Sequence, residues 1–284
     1  MVLGAILGGG GAAGVAWEAG IVIGLQQAGV DLSSAGLVVG TSAGSIVGSY
    51  VACAADLRTL AAARYADMSP GTGPADGAAA GLEPVLTALA PIFDPTLDRL
   101  EARRRVGVAA CAAETGDEQA HIARIAALLP AREGWPPLRF LVTAVDTESG
   151  QLTVWHSGRG VPLGLAVASS CAVPGAYPPV TIGSRRYMDG GVRSTTNADL
   201  AVGVSAVIVL DAVGHLTPRG PLQAELATLG TDSVLVITPD EAAAALIGGS
   251  MLDPATWPAA LEAGLAQAAS CAAPARAIWP ATAS

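Results

Sequence analysis

Apolar residues in this chain come in two kinds of run. Short, unbroken bursts end in glycine; longer stretches repeat their apolar residues every three or four positions. Residues 2–7 form a burst and predict a buried strand. Residues 15–28 carry Val15, Ala16, Ala19, Val22, Ile23, Leu25 and Ala28 at helical spacing, with Gly29 as a cap. Residues 36–39 repeat the strand signal, and an Ala/Val-rich helix is expected from Gly44 to about residue 55. A strand–helix–strand–helix unit with wholly apolar strands predicts a parallel sheet covered on both faces.

From residue 56 to about 137 alanine, arginine and glutamate recur at helical spacing between the loops 69–77 and 90–95, which predicts helical insertions. Arg103, Arg104 and Arg105 read there as a solvated helix face. A strand is expected over 138–145, a hairpin turn at 147–150 and a returning strand over 151–155. A helix around 163–170, a proline-rich loop, a strand pair around 179–188 and a helix near 198–202 follow. Strands over 206–210 and 234–237 and an alanine-rich helix over 257–273 complete the series, and the last few residues should fray. No repeat or linker divides the sequence. The expected fold class is α/β: one domain over 1–284, a three-layer sandwich with a central, mainly parallel sheet. The helical insertion (about 56–137) would sit over one edge of it.

Composition sharpens this picture. Of the 284 residues 51% are hydrophobic, only 4% aromatic and 35 are glycine, so a large core of small side chains is expected. Charged residues make up 14%, against about 25% in ordinary domains, which excludes intrinsic disorder. All 15 basic residues are arginine, and the net charge of −9 argues against a nucleic-acid partner. Cys53, Cys111, Cys171 and Cys271 lie far apart, without metal-ligand spacing to the histidines, and read as buried free thiols. The uncharged first 17 residues lack a basic leader and run into glycines, so they read as a strand and not a signal peptide. Glycine or proline breaks the uncharged stretches 32–55 and 160–184, so neither predicts a spanning helix. A cytoplasmic location is expected. Nothing in the pattern speaks to oligomeric state.

Two glycine motifs fall at the two strand-to-helix turns. Gly9-x-Gly11-x-x-Gly14 can aim backbone N–H groups at an anion beside a helix N-terminus. Gly40-Thr41-Ser42-Ala43-Gly44 can expose a serine hydroxyl on a tight turn whose glycines relieve crowding. Each motif alone is weak. The first could be a dinucleotide fingerprint, but the next strand ends in Gly40 and lacks the acidic residue that would hold a ribose. Ser42 could be a plain N-cap, which leaves the flanking glycines unexplained. A serine nucleophile needs a base. The candidates are Asp189, where a short strand runs into Gly190-Gly191, and His121, His156 and His215. Asp76-Gly77 shows a similar local pattern in a glycine-rich loop and reads as a turn.

These motifs, in this order, resemble the patatin-like phospholipases and acyl hydrolases. The residues are Gly9-Gly10-Gly11-Ala12-Ala13-Gly14, Gly40-Thr41-Ser42-Ala43-Gly44 and Asp189-Gly190-Gly191, supported by residues 15–20 and 168–179. By that resemblance Ser42 is the nucleophile and Asp189 its partner in a Ser–Asp dyad. Gly9, Gly10 and Gly11 supply oxyanion-hole amides, while Gly14, Gly40, Gly44, Gly190 and Gly191 shape the turns. The implied activity is hydrolysis of acyl esters of lipids through an acyl-enzyme, with no metal or organic cofactor and transient contact with a membrane surface. One departure stands out: Ala13 occupies the place where the family usually carries Arg or Lys, which puts a preference for anionic substrates in doubt. Two other readings stay open, a catalytically silent binding protein and a Ser42–Asp189–His215 triad, since only His215 follows Asp189.

Overall fold

The computed structural model describes residues 2–62, 82–130 and 134–279. Along the chain, β1 (Leu3–Leu7), α1 (Gly11–Gln27), β2 (Leu37–Gly40), α2 (Ala43–Ala52) and α3 (Leu57–Ala62) come first. The helices α4 (Glu83–Leu89), α5 (Arg99–Ala112) and α6 (Glu118–Ala127) then precede β3 (Arg139–Asp146) and β4 (Leu152–Trp155). Next are α7 (Leu163–Ser170), β5 (Val180–Ile182), β6 (Arg185–Asp189) and β7 (Ala206–Leu210). The last elements are α8 (Arg219–Leu226), β8 (Val234–Ile237), α9 (Glu241–Ser250) and α10 (Trp257–Ile278). The strands form one sheet in the order β5-β6-β3-β2-β1-β7-β8, with β4 added to β3. The ladders joining β3, β2, β1, β7 and β8 are parallel, and those of β4, β5 and β6 are antiparallel.

The alternation of side chains along the strands divides the interior into two cores. Ala5 and Leu7, Val38, Phe140 and Val142, and Ile208 and Leu210 face a large core shared with α1, α2, α7 and α10. Ile6, Leu37 and Val39, Leu141, and Val207 and Val209 face a smaller one, closed by Ala198, Ala201 and Leu229 with Leu222 and Leu226 of α8. A sheet with apolar residues on both faces, covered on both sides, is the expected α/β layering. The abundance of small residues has a structural use here. α1 and α10 cross so closely that a Cβ at Gly20 would come within 2.5 Å of the Leu261 carbonyl.

Several expectations need adjusting. α1 starts at Gly11 and not at residue 15, so the glycine motif itself forms the first turn, entered through Gly11 at φ +62°. α10 continues through Pro274 to Ile278, past the expected end at 273. The helix expected near 198–202 is a short 3-10 turn, Ala198–Ala201. α8 and α9 were not anticipated. The insertion does contain helices, and α5 caps the ends of β3 and β6, with Val106 and Ala110 packed on Val145 and Met188. The expected loop 69–77 lies outside the described residues. Of the four cysteines expected to be buried, only Cys171 is; Cys53 and Cys271 are half-buried and Cys111 is exposed. No helix among the described residues is long and apolar enough to cross a membrane.

Candidate active site

Strand register brings the two halves of the site together. Val142 of β3 pairs with Gly40 of β2 and with Trp155 of β4, so β2 and β4 lie on opposite edges of β3. Ala144 pairs with Thr153 of β4 and with Asp189 of β6, so β6 must lie on the β2 edge. β2 therefore ends at Gly40, and two residues further along the same edge β6 delivers Asp189. Ser42 is likewise two residues past Gly40. Residues far apart in the chain arrive at one point because β3 outlasts β2.

Ser42 sits at the turn into α2 with φ 51° and ψ −120°, a conformation that side-chain-bearing residues rarely adopt. Its backbone is held from several directions. The Ser42 N–H donates to Ser170 Oγ at 2.9 Å. The Ser42 carbonyl accepts from Ser45 Oγ at 2.6 Å and from Cys171 Sγ at 3.3 Å. The turn also needs its glycines, since a Cβ at Gly44 would overlap the Leu7 carbonyl and one at Gly40 would come within 2.6 Å of Ser45 Cα. The Ser42 side is fastened to the Asp189 side by Asn197, which is fully buried. Its Nδ2 donates to Thr41 Oγ1 at 3.1 Å and to the Ser194 carbonyl at 2.8 Å, and reaches the Gly190 carbonyl at 3.4 Å.

Asp189 is 4% exposed. Its Oδ1 accepts the Gly191 N–H at 2.7 Å, and a Cβ at Gly190 would overlap Thr143, which keeps this turn tight. Its Oδ2 is buried without a hydrogen bond to any described residue, although the Ser42 hydroxyl is near enough to favour the ionised form. The pair is thus in each other's reach but not drawn into a short bond. Burial dominates and pushes the carboxyl up to about 7, against the lesser pull of Ser42 and Gly191. A carboxyl with that affinity is half ionised near neutral pH and could both take and return a proton there.

The glycine loop lies opposite. A Cβ on Gly9 would come within 3.5 Å of Ser42 Cβ, so Gly9 faces the serine. The Gly9 N–H, however, donates to the Thr195 carbonyl at 2.8 Å. This modifies the expectation of three oxyanion donors: the Gly9 amide is already taken. The N–H groups of Gly10 and Gly11, at the head of α1, make no hydrogen bond with the described residues. Gly10 leaves no room for a side chain, because a Cβ there would be 2.8 Å from Ala212 Cβ and from Gly14 Cα. A Cβ at Gly14 would meet only ordinary contacts with Ala212 and Ala43. Ala13 is fully buried, and its N–H donates to the Met251 carbonyl at 3.1 Å.

The histidines stand elsewhere. His121 is buried against Tyr177, its Nε2 donating to the Ala168 carbonyl at 3.0 Å, and burial lowers its pKa to about 4. The His156 Nδ1 accepts the Gly158 N–H at 3.2 Å. His215 lies against α9, with burial lowering its pKa and the Ala244 backbone opposing. None is hydrogen-bonded to Asp189 or Ser42. Asp76 lies outside the described residues. Sequence reasoning did not single out Thr195 or Asn197, which carry no motif of their own, and it quoted Ser170 only within the supporting stretch 168–179 without a role. A cavity of about 450 Å³, lined by Leu89, Ile92, Val192, Leu222, Val236 and Asp211 among others, also includes residues 191–196. It adjoins the Asp189 turn without reaching Ser42 or Asp189. No group of His, Cys, Asp and Glu among the described residues could hold a metal ion.

The family profile for Patatin-like phospholipase matches residues 5–202, which include both glycine turns and the Asp189 turn. No curated protein matches the chain. Among solved structures, VipD from Legionella pneumophila aligns with 97% of this chain and 66% of its own, at 13% identity and a TM-score of 0.47. The type III effector protein ExoU aligns with 95% of this chain and 53% of its own, at 16% identity and a TM-score of 0.36. ExoU of Pseudomonas aeruginosa, solved in complex with SpcU, aligns with 93% of this chain and 53% of its own, at 18% identity and a TM-score of 0.34. This chain spans less than two thirds of the length of VipD and about half that of ExoU.

Proposed function

The chain belongs to the patatin-like phospholipase family, and from that premise we propose that it hydrolyses acyl esters of lipids through an acyl-enzyme on Ser42. The observation that carries this reading is a buried Asp189 carboxyl, poised near neutrality, in reach of the hydroxyl of a serine held on a strained turn. Asp189 takes the Ser42 hydroxyl proton as Oγ attacks the ester carbonyl carbon. The resulting oxyanion is met by the Gly10 and Gly11 N–H groups and by the N-terminal end of α2. Asp189 then returns the proton to the departing alcohol. In the second half water attacks the acyl-enzyme, Asp189 accepts its proton, and Ser42 leaves with that proton while the fatty acid is released. Each well-aimed donor contributes about 2.7–4 kcal/mol to such a transition state, so the loop matters as much as the base.

The apolar cavity beside the Asp189 turn suits an acyl chain, and exposed Ile92 and Phe93 in its lining suit transient contact with a lipid surface. Ala13 brings no cation to the glycine loop, which favours neutral ester substrates over phosphate-bearing ones. A single hydrolase domain acting in the cytoplasm, without metal or organic cofactor, completes the reading. Ser42→Ala should abolish p-nitrophenyl ester hydrolysis while the melting temperature holds. Near-wild-type turnover by the folded variant would remove Ser42 from the mechanism.

A further inference from the structure

Glu18 lies in the second turn of α1 and is completely buried. A carboxyl is expensive to bury, and an aliphatic side chain would fit an α1 core position at lower cost. The structure gives this one a specific task. Glu18 Oε1 accepts the Gly8 N–H at 2.9 Å, a donor that the Leu210 carbonyl of β7 shares at 2.9 Å. On the other side of the same residue, the Gly8 carbonyl accepts the Gly44 N–H at 2.8 Å. Gly8 is thus the joint between the loop that carries Gly10 and Gly11 and the first turn of α2, which directly follows Ser42. Among the described residues, Glu18 has the only side chain hydrogen-bonded to the backbone of residues 8–11.

We propose that Glu18 is a positioning residue, which through Gly8 sets the height of the oxyanion donors relative to Ser42. The proposal rests on the Ser42 reading above. With its carboxyl gone, the Gly8 N–H is left to Leu210 alone, and the loop is free to settle toward β7. A small displacement of the donors weakens the transition state more than the ground state, so kcat falls and KM holds. Burial, together with neighbouring Asp211, raises the Glu18 pKa well above the usual carboxylate range, against the pull of the Gly8 bond. Burial therefore disfavours the ionised form of Glu18. Its Oε1 acts as a carbonyl-type acceptor, which a glutamine amide oxygen can replace.

The test compares wild type, Ser42→Ala, Glu18→Gln, Glu18→Met and Glu18→Ala on a p-nitrophenyl ester, with melting temperatures. Glu18→Gln should keep kcat within about threefold of wild type. Glu18→Met and Glu18→Ala, where folded, should lose about tenfold or more in kcat with KM within about twofold. The proposal is overturned if a folded Met or Ala variant keeps its kcat, or if folded Glu18→Gln loses as much as they do. It is also overturned if neither the Met nor the Ala variant folds, because Glu18 is then a folding residue. An inactive wild type, or a Ser42→Ala variant equal to it, would instead mark the failure of the Ser42 reading.

Discussion

Asp146 and Asp189 belong to the same antiparallel ladder: Asp146 pairs with Tyr187, two residues before Asp189, and Asp189 pairs with Ala144, two residues before Asp146. Each is 4% exposed. Their chemistry is opposite. Burial pushes Asp146 up, but the Ser149 N–H at 2.8 Å, Arg185 Nη1 at 2.8 Å and Ser149 Oγ at 2.9 Å outweigh it and hold its carboxyl below the usual range. Asp189 receives one backbone N–H and, among the described residues, faces no cation, so burial wins and its affinity for a proton rises to about 7. The comparison teaches that surface area does not separate a saturated carboxylate from a proton-hungry one. The supply of donors does. Asp146 is saturated in order to fasten a hairpin, while Asp189 is left hungry on the side of Ser42.

The largest expected effect comes from exchanging the two carboxylates for amides. Asp189→Asn should lower kcat by about 10³ or more, the scale of losing a general base with its hydrogen bond. Asp146→Asn should keep kcat within about tenfold. Stability should show the reverse order. Asp146→Asn gives up charge-assisted bonds and should lose about 1–3 kcal/mol. Asp189→Asn removes a group whose folded pKa lies above its unfolded value. The stability tied to its protonated form is complete below about pH 4 and is lost as pH rises through about 7. The variant should therefore gain melting temperature over wild type at pH 8 by more than at pH 4. Equal activity losses, or a gain that is larger at pH 4, would erase the distinction.

A second effect concerns the rate directly. kcat/KM reports the free enzyme, so its rising limb should lie near the Asp189 value of about 7. A limb near 4 would mean that an ordinary exposed carboxylate serves as the base.

Much of this was legible in the sequence, for a physical reason. Strands buried on both faces read as uniform apolar bursts, and glycine turns leave short spacings, so β1, β2, α2 and the turns around Ser42 and Asp189 stand out. Register does not leave such a trace. That β3 outlasts β2 and accepts β6 on the same edge cannot be read from one strand at a time. Nor can the capture of the Gly9 N–H by Thr195, because a backbone carbonyl has no residue preference. α9 was missed because Glu241–Ser250 is mostly alanine and glycine, with little polar contrast between its faces. Glu18 looks like an ordinary helical glutamate until the tertiary structure buries it.

The smallest expected effect belongs to the histidines. Replacing His121, His156 and His215 together by Gln or Asn should leave kcat/KM within about tenfold, or ~1.4 kcal/mol of barrier. A loss of about 10³ from His215 alone in a folded protein would establish a triad and displace Asp189 as the sole base.

The central claim, that Ser42 is a nucleophile activated at this turn, is tested most directly by labelling the folded protein with a fluorophosphonate and mapping the adduct by mass spectrometry. The account predicts one covalent adduct on Ser42 in wild type, none in Ser42→Ala, and much slower labelling in Asp189→Asn. A folded wild-type protein that takes up no label, or an adduct on another residue with Ser42→Ala still hydrolysing esters, would contradict it.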